Sequence, residues 1–490
     1  MSDTQNLVQG KTNWSSIYIA AALSFVGAVQ FSLYFSALWP YMRILDNDIT
    51  ESFYGWTVFV YSFGQVLSAP AFGWWSNMIK MVRPPLYCGL ILMFTGNFIY
   101  ILMEVISGVP KRFVLMVCRF IIGMGSGNVA TLRSYASTAS SLEDRSKAIA
   151  FVTCGQAIGM TMGPAFQFIF TQLEYPGPAP WGLSLNLYTT PAYLACLMNV
   201  GGAYALYHYF EEVYAIELIE DDEVEEDETE TMQQAPAIPM YDIIAVLVCY
   251  ASRFTDMFVR TNLETLGSPY SMMMFSLDEV RSVRYLSMTQ GIIGALTFAT
   301  YIAYINFDME KIVPNRPSCL IALTLMLSFH LVTYPWQFLS NYVDPLNGTT
   351  GCDTSRFTWC DELTQVNIYL YYGSYVILIG TAFPLLTITL TTLFSKILGP
   401  RRQGTQQGLF QAASAIGRMI APVSASALYT GYGPRAVWKM EIAVVGVVLG
   451  AWCLFYGRMV EMKIPKKATN QCFGYENPQA IEDESTMSHG

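Results

Sequence analysis

Charge is what this chain lacks. Only 13% of its 490 residues are Asp, Glu, Lys or Arg, against roughly 25% in an ordinary soluble protein, while 53% are hydrophobic and mean hydropathy is +0.35. This composition excludes an ordinary soluble enzyme. Also missing are metal-ligand spacings of His, Cys and carboxylates, a phosphate-cradling glycine loop after a strand, and a nucleophile triad. No enzyme activity, metal, cofactor or nucleic-acid partner is therefore expected. The first apolar run has no convincing small-residue cleavage site and is too long for a signal-peptide core, so it reads as a retained signal anchor.

Long apolar runs are what the chain has instead. Crossing about 30 Å of hydrocarbon takes about 20 residues of helix, and twelve candidate spans start near Ser15, Tyr54, Pro84, Phe113, Lys147, Asn186, Tyr241, Val280, Ser318, Gln365, Gln403 and Val437. The expectation is an all-α membrane protein whose solvent is the lipid bilayer. Within it, Ala157-Ile158-Gly159-Met160-Thr161-Met162-Gly163-Pro164 returns 258 positions later as Ala415-Ile416-Gly417-Arg418-Met419-Ile420-Ala421-Pro422. Small residues let helices approach closely, and a buried proline needs neighbours to satisfy the freed carbonyl. The repeat implies two pseudo-symmetric six-helix halves meeting around a midplane site, a construction common among secondary transporters.

Net charge is -10, yet Glu217 to Glu230 alone holds ten carboxylates and no Lys or Arg. Such a run is too self-repelling to pack and marks the linker between halves. A cytosolic partner docking on it is the functional alternative to a merely solvated tether. The boundaries read as a cytosolic N-terminal arm at 1–14, a first bundle at 15–210, the acidic linker at 211–240, a second bundle at 241–460 and a cytosolic tail at 461–490.

Loops after even-numbered spans carry Lys80, Arg83, Arg145, Lys147, Lys311, Arg316, Lys396, Arg401, Arg402, Arg458, Lys463, Lys466 and Lys467. Basic loops stay on the cytosolic side, so both termini are expected there. The long loop 337–364 then faces the lumen or exterior. It contains the glycosylation acceptor Asn347-Gly348-Thr349, and Cys352 and Cys360, which an oxidising compartment would pair.

Three motifs carry a family resemblance. Gly73-Trp74-Trp75-Ser76-Asn77 leads to Arg83-Pro84 after span two; Arg119 precedes Gly123, Gly125 and Gly127 in span four; Gly155, Gly159 and Gly163-Pro164 run through span five. These resemble the loop, arginine and Gly-Pro signatures of the major facilitator superfamily, with Asn77 where the family's loop motif has an acid, and Gln167 and Phe168 where the Gly-Pro motif has a second glycine pair. Further blocks, among them Trp39-Pro40-Tyr41, Tyr61-Ser62-Phe63-Gly64-Gln65, Arg133-Ser134-Tyr135, Tyr188-Thr189-Thr190-Pro191, Ser395-Lys396-Ile397-Leu398-Gly399-Pro400 and Gly433-Pro434-Arg435, are similar to the ceroid-lipofuscinosis neuronal protein seven family. The resemblance implies a multi-pass lysosomal or late endosomal membrane protein linked to chloride or small-solute movement. The N-terminal arm departs from that family's acidic dileucine signal, having Leu7-Val8.

Candidate chemistry sits in three spans. Span seven places Arg253, Asp256, Arg260 and Glu264 on one helical face by steps of three, four and four. A stripe of charge cannot face lipid: Arg253 and Asp256 read as a self-neutralising pair, and Glu264 as a candidate proton-sensitive carboxylate ahead of Pro269. Span eleven aligns Gln407, Gln411, Ser414 and Arg418. Arg418 reads either as an anion holder or as a structural partner of a carboxylate, and Arg119 either as a second cavity arginine or as a packing lock. The substrate or ion-binding candidates are thus Arg119, Glu264, Arg418 and Gln411; the gating and packing candidates are Gly73, Asn77, Arg83, Gly159, Gly163, Pro164, Gly417 and Pro422. His208 and His330 are expected to be interfacial. The cargo is a small molecule or anion, with protons as candidate co-substrate. A channel-like chloride conductance on the same scaffold, and a transporter-shaped scaffold that recruits a partner, are the competing readings.

Overall fold

A computed structural model describes residues 12–34, 38–46, 51–106, 110–141, 144–170, 172–178, 183–215, 240–307, 309–345, 351–355, 357–399 and 401–462. The acidic run Glu217 to Glu230, the sequon at Asn347 and most of the tail lie outside the described residues. Within them the chain is helical, with only isolated β-bridges in the loop between spans nine and ten.

Twelve spans follow one another in the order expected. The first half contains α1 (Trp14–Ser32), a short α2 (Leu38–Leu45), α3 (Glu51–Met78), α4 (Arg83–Ile101), α5 (Lys111–Gly125) continued by α6 (Asn128–Thr138), α7 (Arg145–Phe170) and α8 (Thr190–His208). The second contains α9 (Ile243–Met274), α10 (Glu279–Asn306), a short α11 (Met309–Ile312), α12 (Asn315–Val332), α13 (Ile368–Ser374) running through a π-helical turn at Tyr375–Ile379 into α14 (Gly380–Leu398), α15 (Gly404–Tyr432) and α16 (Pro434–Phe455). Span four is interrupted at Ser126-Gly127, between α5 and α6.

Local chemistry sets these boundaries. The Asp242 carboxylate accepts from Ile244 N at 2.9 Å and Ala245 N at 3.3 Å, and Asn367 caps Tyr369 N at 2.9 Å, satisfying donors that a helix start leaves unpaired. Pro191 and Pro434 stand in the first turns of α8 and α16, where a missing N–H costs nothing. Gly433, at φ +77, ends α15 and starts α16 with the Trp359 ring against it, a backbone that a side chain could not adopt without strain.

Eight of the spans are long and apolar enough by themselves to cross a membrane. The other four, α3, α8, α9 and α15, are more polar, and α15 packs along both α3 and α9 where the halves meet. The repeated octapeptides explain how each half holds together. In the first, Gly159 and Gly163 of α7 lie against Phe25, Ala28 and Ser32 of α1; in the second, Gly417 of α15 lies against Phe254 and Phe258 of α9. Span five on one and span eleven on seven are the same pairing shifted by six. Each half has its own apolar core, and a small cluster of Ala150, Cys154, Tyr301, Tyr304 and Ile388 bridges them.

Candidate functional site

The charged face of α9 opens on the seam between halves. Arg253 Nη1 lies 2.8 Å from Asp256 Oδ2, and Arg260 Nη2 lies 3.7 Å from Asp256 Oδ1. Thr387 of α14 donates to Asp256 at 3.3 Å. The Arg260 guanidinium sits over the Phe383 ring, 4.1 Å from its centroid, a favourable cation–π position. Exposure falls along this face: the Glu264 side chain is exposed, that of Arg260 is 26% exposed, and those of Asp256 and Arg253 are 1% and 3%. The stripe thus runs from an open end into a sealed one.

Arg418 of α15 stands opposite. Its guanidinium lies 4.6 Å from the Phe31 ring of α1, crossing between halves, and it is within electrostatic reach of Glu264, Arg253 and Arg260. Arg119 is less accessible. It is 3% exposed and packs over the rings of Tyr61 at 4.7 Å and Tyr34 at 5.4 Å, so that Tyr61 lies between it and Arg418, feeling both charges. Gln411 accepts from Arg133 Nη1 at 2.8 Å across the seam, and Arg133 Nη2 also reaches Gln156 at 2.5 Å. Ser414, one turn on, has a buried hydroxyl with no partner among the described residues.

Arg133 was not singled out from the sequence as a site residue. It enters the sequence reading only through the Arg133-Ser134-Tyr135 block, yet α6 carries it inward until it is 1% exposed. Among the described residues, the middle of the seam therefore gathers Arg119, Arg133, Arg253, Arg260 and Arg418 around only Asp256 and Glu264. Such an excess of cations is held where charge is costly.

One end of the seam is clasped. Asn77 Nδ2 donates to Thr405 Oγ1 at 3.0 Å while Gly404 N donates to Asn77 Oδ1, also at 3.0 Å. Gly73 and Gly404 lie against each other's carbonyl oxygens. Ser137 donates to Gln403 at 3.2 Å. Arg83 takes no part in this clasp; it donates to the Phe210 carbonyl beside the end of span six, within its own half. Pro422 is half-buried inside α15, whereas the side chain of Pro164 lies outside the described residues. At the opposite end, Cys352 and Cys360 are joined in a disulfide, with Gly351 N donating to Met272 O at 3.4 Å.

Each half also buries a polar trio, built from its first, third and sixth spans. In the first half these are Gln30, Asn97 and Asn199. Gln30 Nε2 donates to Asn199 Oδ1 at 2.9 Å, Asn199 Nδ2 and Asn97 Nδ2 donate back to Gln30 Oε1 at 3.0 and 3.1 Å, and Tyr34 donates to Asn97 Oδ1 at 2.5 Å. In the second half they are Asn262 of α9, His330 of α12 and Glu441 of α16, each no more than 2% exposed. The expectation that His330 is interfacial is corrected: it is fully buried, because α12 turns it toward α16 rather than toward the headgroups. His208 is exposed.

Two membrane-embedded bundles enclosing a polar, arginine-rich seam define a transporter-type fold. The model of the Major Facilitator Superfamily matches residues 20–364, and the chain belongs to that superfamily. It is 29% identical over 481 residues to major facilitator superfamily domain-containing protein 8 of Xenopus laevis, covering 92% of this chain and 93% of that one, and it resembles the ceroid-lipofuscinosis neuronal protein seven branch. Among solved structures it is similar to the human organic anion transporter MFSD10 (TM-score 0.60, 14% identity, 89% of this chain and 99% of that one). It is similar also to an outward-facing bacterial homologue of the iron transporter ferroportin (TM-score 0.65, 10% identity, 90% and 98%). At these identities the structural likeness speaks for the fold alone.

Proposed function

We propose that this chain is an endolysosomal secondary transporter that moves a small anionic solute by alternating access, and acts as a carrier rather than an enzyme. The observation that carries the reading is the imbalance at the seam, five arginines to two carboxylates. Glu264, Arg418 and Gln411 form the site that the solute meets; Arg119, behind Tyr34 and Tyr61, adds field rather than contact. The units 15–210 and 241–460 are the rocking bodies, joined by 211–240, with both termini cytosolic and the loop 337–364 lumenal. On that orientation the Asn77 clasp closes the cytosolic end, and Glu264 faces the lumen.

A carrier has to close one end while the other is open, and a graded exposure from Glu264 to Arg253 suits it better than a continuous chloride pore does. The test is uptake of radiolabelled chloride, or of a monocarboxylate, into proteoliposomes holding the full-length protein. Saturable uptake with counterflow is expected. Arg418→Gln, which removes a charge-assisted contact, should lower it about tenfold or more. Passive, voltage-driven flux without counterflow would favour the channel, and movement of neutral sugars with anions excluded would overturn the anionic cargo.

A further inference from the structure

The buried trio of the second half is one hydrogen short. His330 Nδ1 lies 2.8 Å from the Met326 carbonyl, which can only accept, so Nδ1 carries the ring proton and a neutral imidazole leaves Nε2 as a bare lone pair. That lone pair faces Glu441 Oε2 at 3.9 Å. Asn262 donates its amide to the other carboxylate oxygen, Oε1. Among the described residues neither His330 Nε2 nor Glu441 Oε2 has a hydrogen-bond partner, and both side chains are almost fully buried. Two acceptors thus confront each other beside a small internal cavity lined by Asn262, His330, Tyr371, Trp438 and Glu441. Burying unpaired acceptors is expensive, more so when one is charged.

The first half shows how such a place is satisfied when no proton is needed. There the equivalent spans supply amides, and every amide group of Gln30, Asn97 and Asn199 is engaged. In the second half two of the three members, His330 and Glu441, are ionisable instead.

We propose that Glu441 and His330 together form a proton-binding site, distinct from Glu264, that takes up one proton and shares it between Glu441 Oε2 and His330 Nε2. The proton arrives as such from the aqueous side; one O–H···N or O⁻···H–N⁺ bond forms and no other bond breaks. The 3.9 Å gap then closes to a normal hydrogen-bond length of about 2.8 Å, drawing α12 toward α16. Asn262 ties the same carboxylate to α9, the helix whose opposite face bears the charged stripe, so the contraction is delivered to the seam wall. Other titratable groups facing the pair are phenols: Tyr371 of α13 lines the cavity, Tyr270 of α9 stacks on Trp438 at 4.6 Å, and Tyr429 of α15 lies beyond Tyr270. Arg435, at the start of α16, is turned away to the Pro335 carbonyl.

The sequence holds three histidines. Replacing His208 and His489 with Gln leaves His330 as the one imidazole signal in the full-length, isotope-labelled protein in liposomes, followed by magnetic resonance while pH is stepped. A single titration step at His330 is expected. It should move by at least tenfold in proton concentration, or vanish, in Glu441→Gln, and remain in place in Glu264→Gln. Because the readout needs no cargo, it stands apart from the transport assay. An identical step in Glu441→Gln, no step at all in the parent protein, or the same spectral change produced by sodium at fixed pH would overturn the proposal. Should Glu441→Gln fail to fold, the carboxyl infrared signal of the parent protein reads the same event, and a carboxylate that stays ionised while the His330 ring does not titrate counts against it.

Discussion

The two halves pack alike and are wired differently. Gly159 lets α7 onto α1 as Gly417 lets α15 onto α9, and each half buries a polar trio on its first, third and sixth spans. Yet the trio of the first half is made of neutral amides with every group matched, whereas that of the second contains the Glu441–His330 pair, and the second half carries the Arg253–Asp256–Arg260 ladder as well. Neutral networks fix a shape whatever the pH or the ions present. Ionisable ones can change state. The comparison teaches that the two trios differ in kind: one is built from groups that do not titrate, the other includes two that do.

Arg253→Met should break this contrast most severely. It leaves Asp256 buried with the Thr387 hydroxyl and, as its one cation, the more distant Arg260; removing one partner of a buried ion pair costs about 3–5 kcal/mol. Thermal unfolding in detergent should show a large loss, partly restored by adding Asp256→Asn. No restoration would mean that the pair is not what holds this region. Next in size is the shared packing: Gly159→Val and Gly417→Val both push a side chain into a neighbouring backbone, for about 1–3 kcal/mol each. Similar losses in the same unfolding assay sharpen the symmetry, and a loss confined to one variant breaks it. Smallest is Asn77→Ala, which removes two hydrogen bonds between the halves, roughly 1 kcal/mol net. Alkylation of a cysteine placed at Ser414, deeper on the same face of α15, should accelerate by about fivefold; an unchanged rate would show that the clasp does not govern access.

Much of the scaffold was legible in the sequence because lipid imposes it. Apolar runs of spanning length, capped by Asp242 or Pro434, could hardly be anything but helices, and the octapeptide repeat announced the six-plus-six plan. The α9 stripe was legible too, since helical periodicity alone puts Arg253, Asp256, Arg260 and Glu264 on one face. What stayed hidden depends on partners remote in sequence. Asn262 and Glu441 are 179 residues apart, and Arg133 and Gln411 are 278 apart. Glu441 did offer one signal: it is an acid well inside an apolar span, where any ionisable group calls for a function. Gln30, Asn97 and Asn199 offered none, because single amides are unremarkable in a membrane helix. The glycines at 123, 125 and 127 marked the interruption at Ser126-Gly127, whereas the wide turn at Tyr375–Ile379 left no compositional mark distinct from its surroundings.

Gly73 and Gly404 meet through main chain alone, and this governs how the clasp behaves mechanically. Ordinary helix contacts are cushioned by side chains that switch rotamers and slide, giving a soft, graded resistance. Two bare backbones have no such padding. They either touch or stand apart, so at this point the contact between α3 and α15 is a hard one, with little room for gradual adjustment.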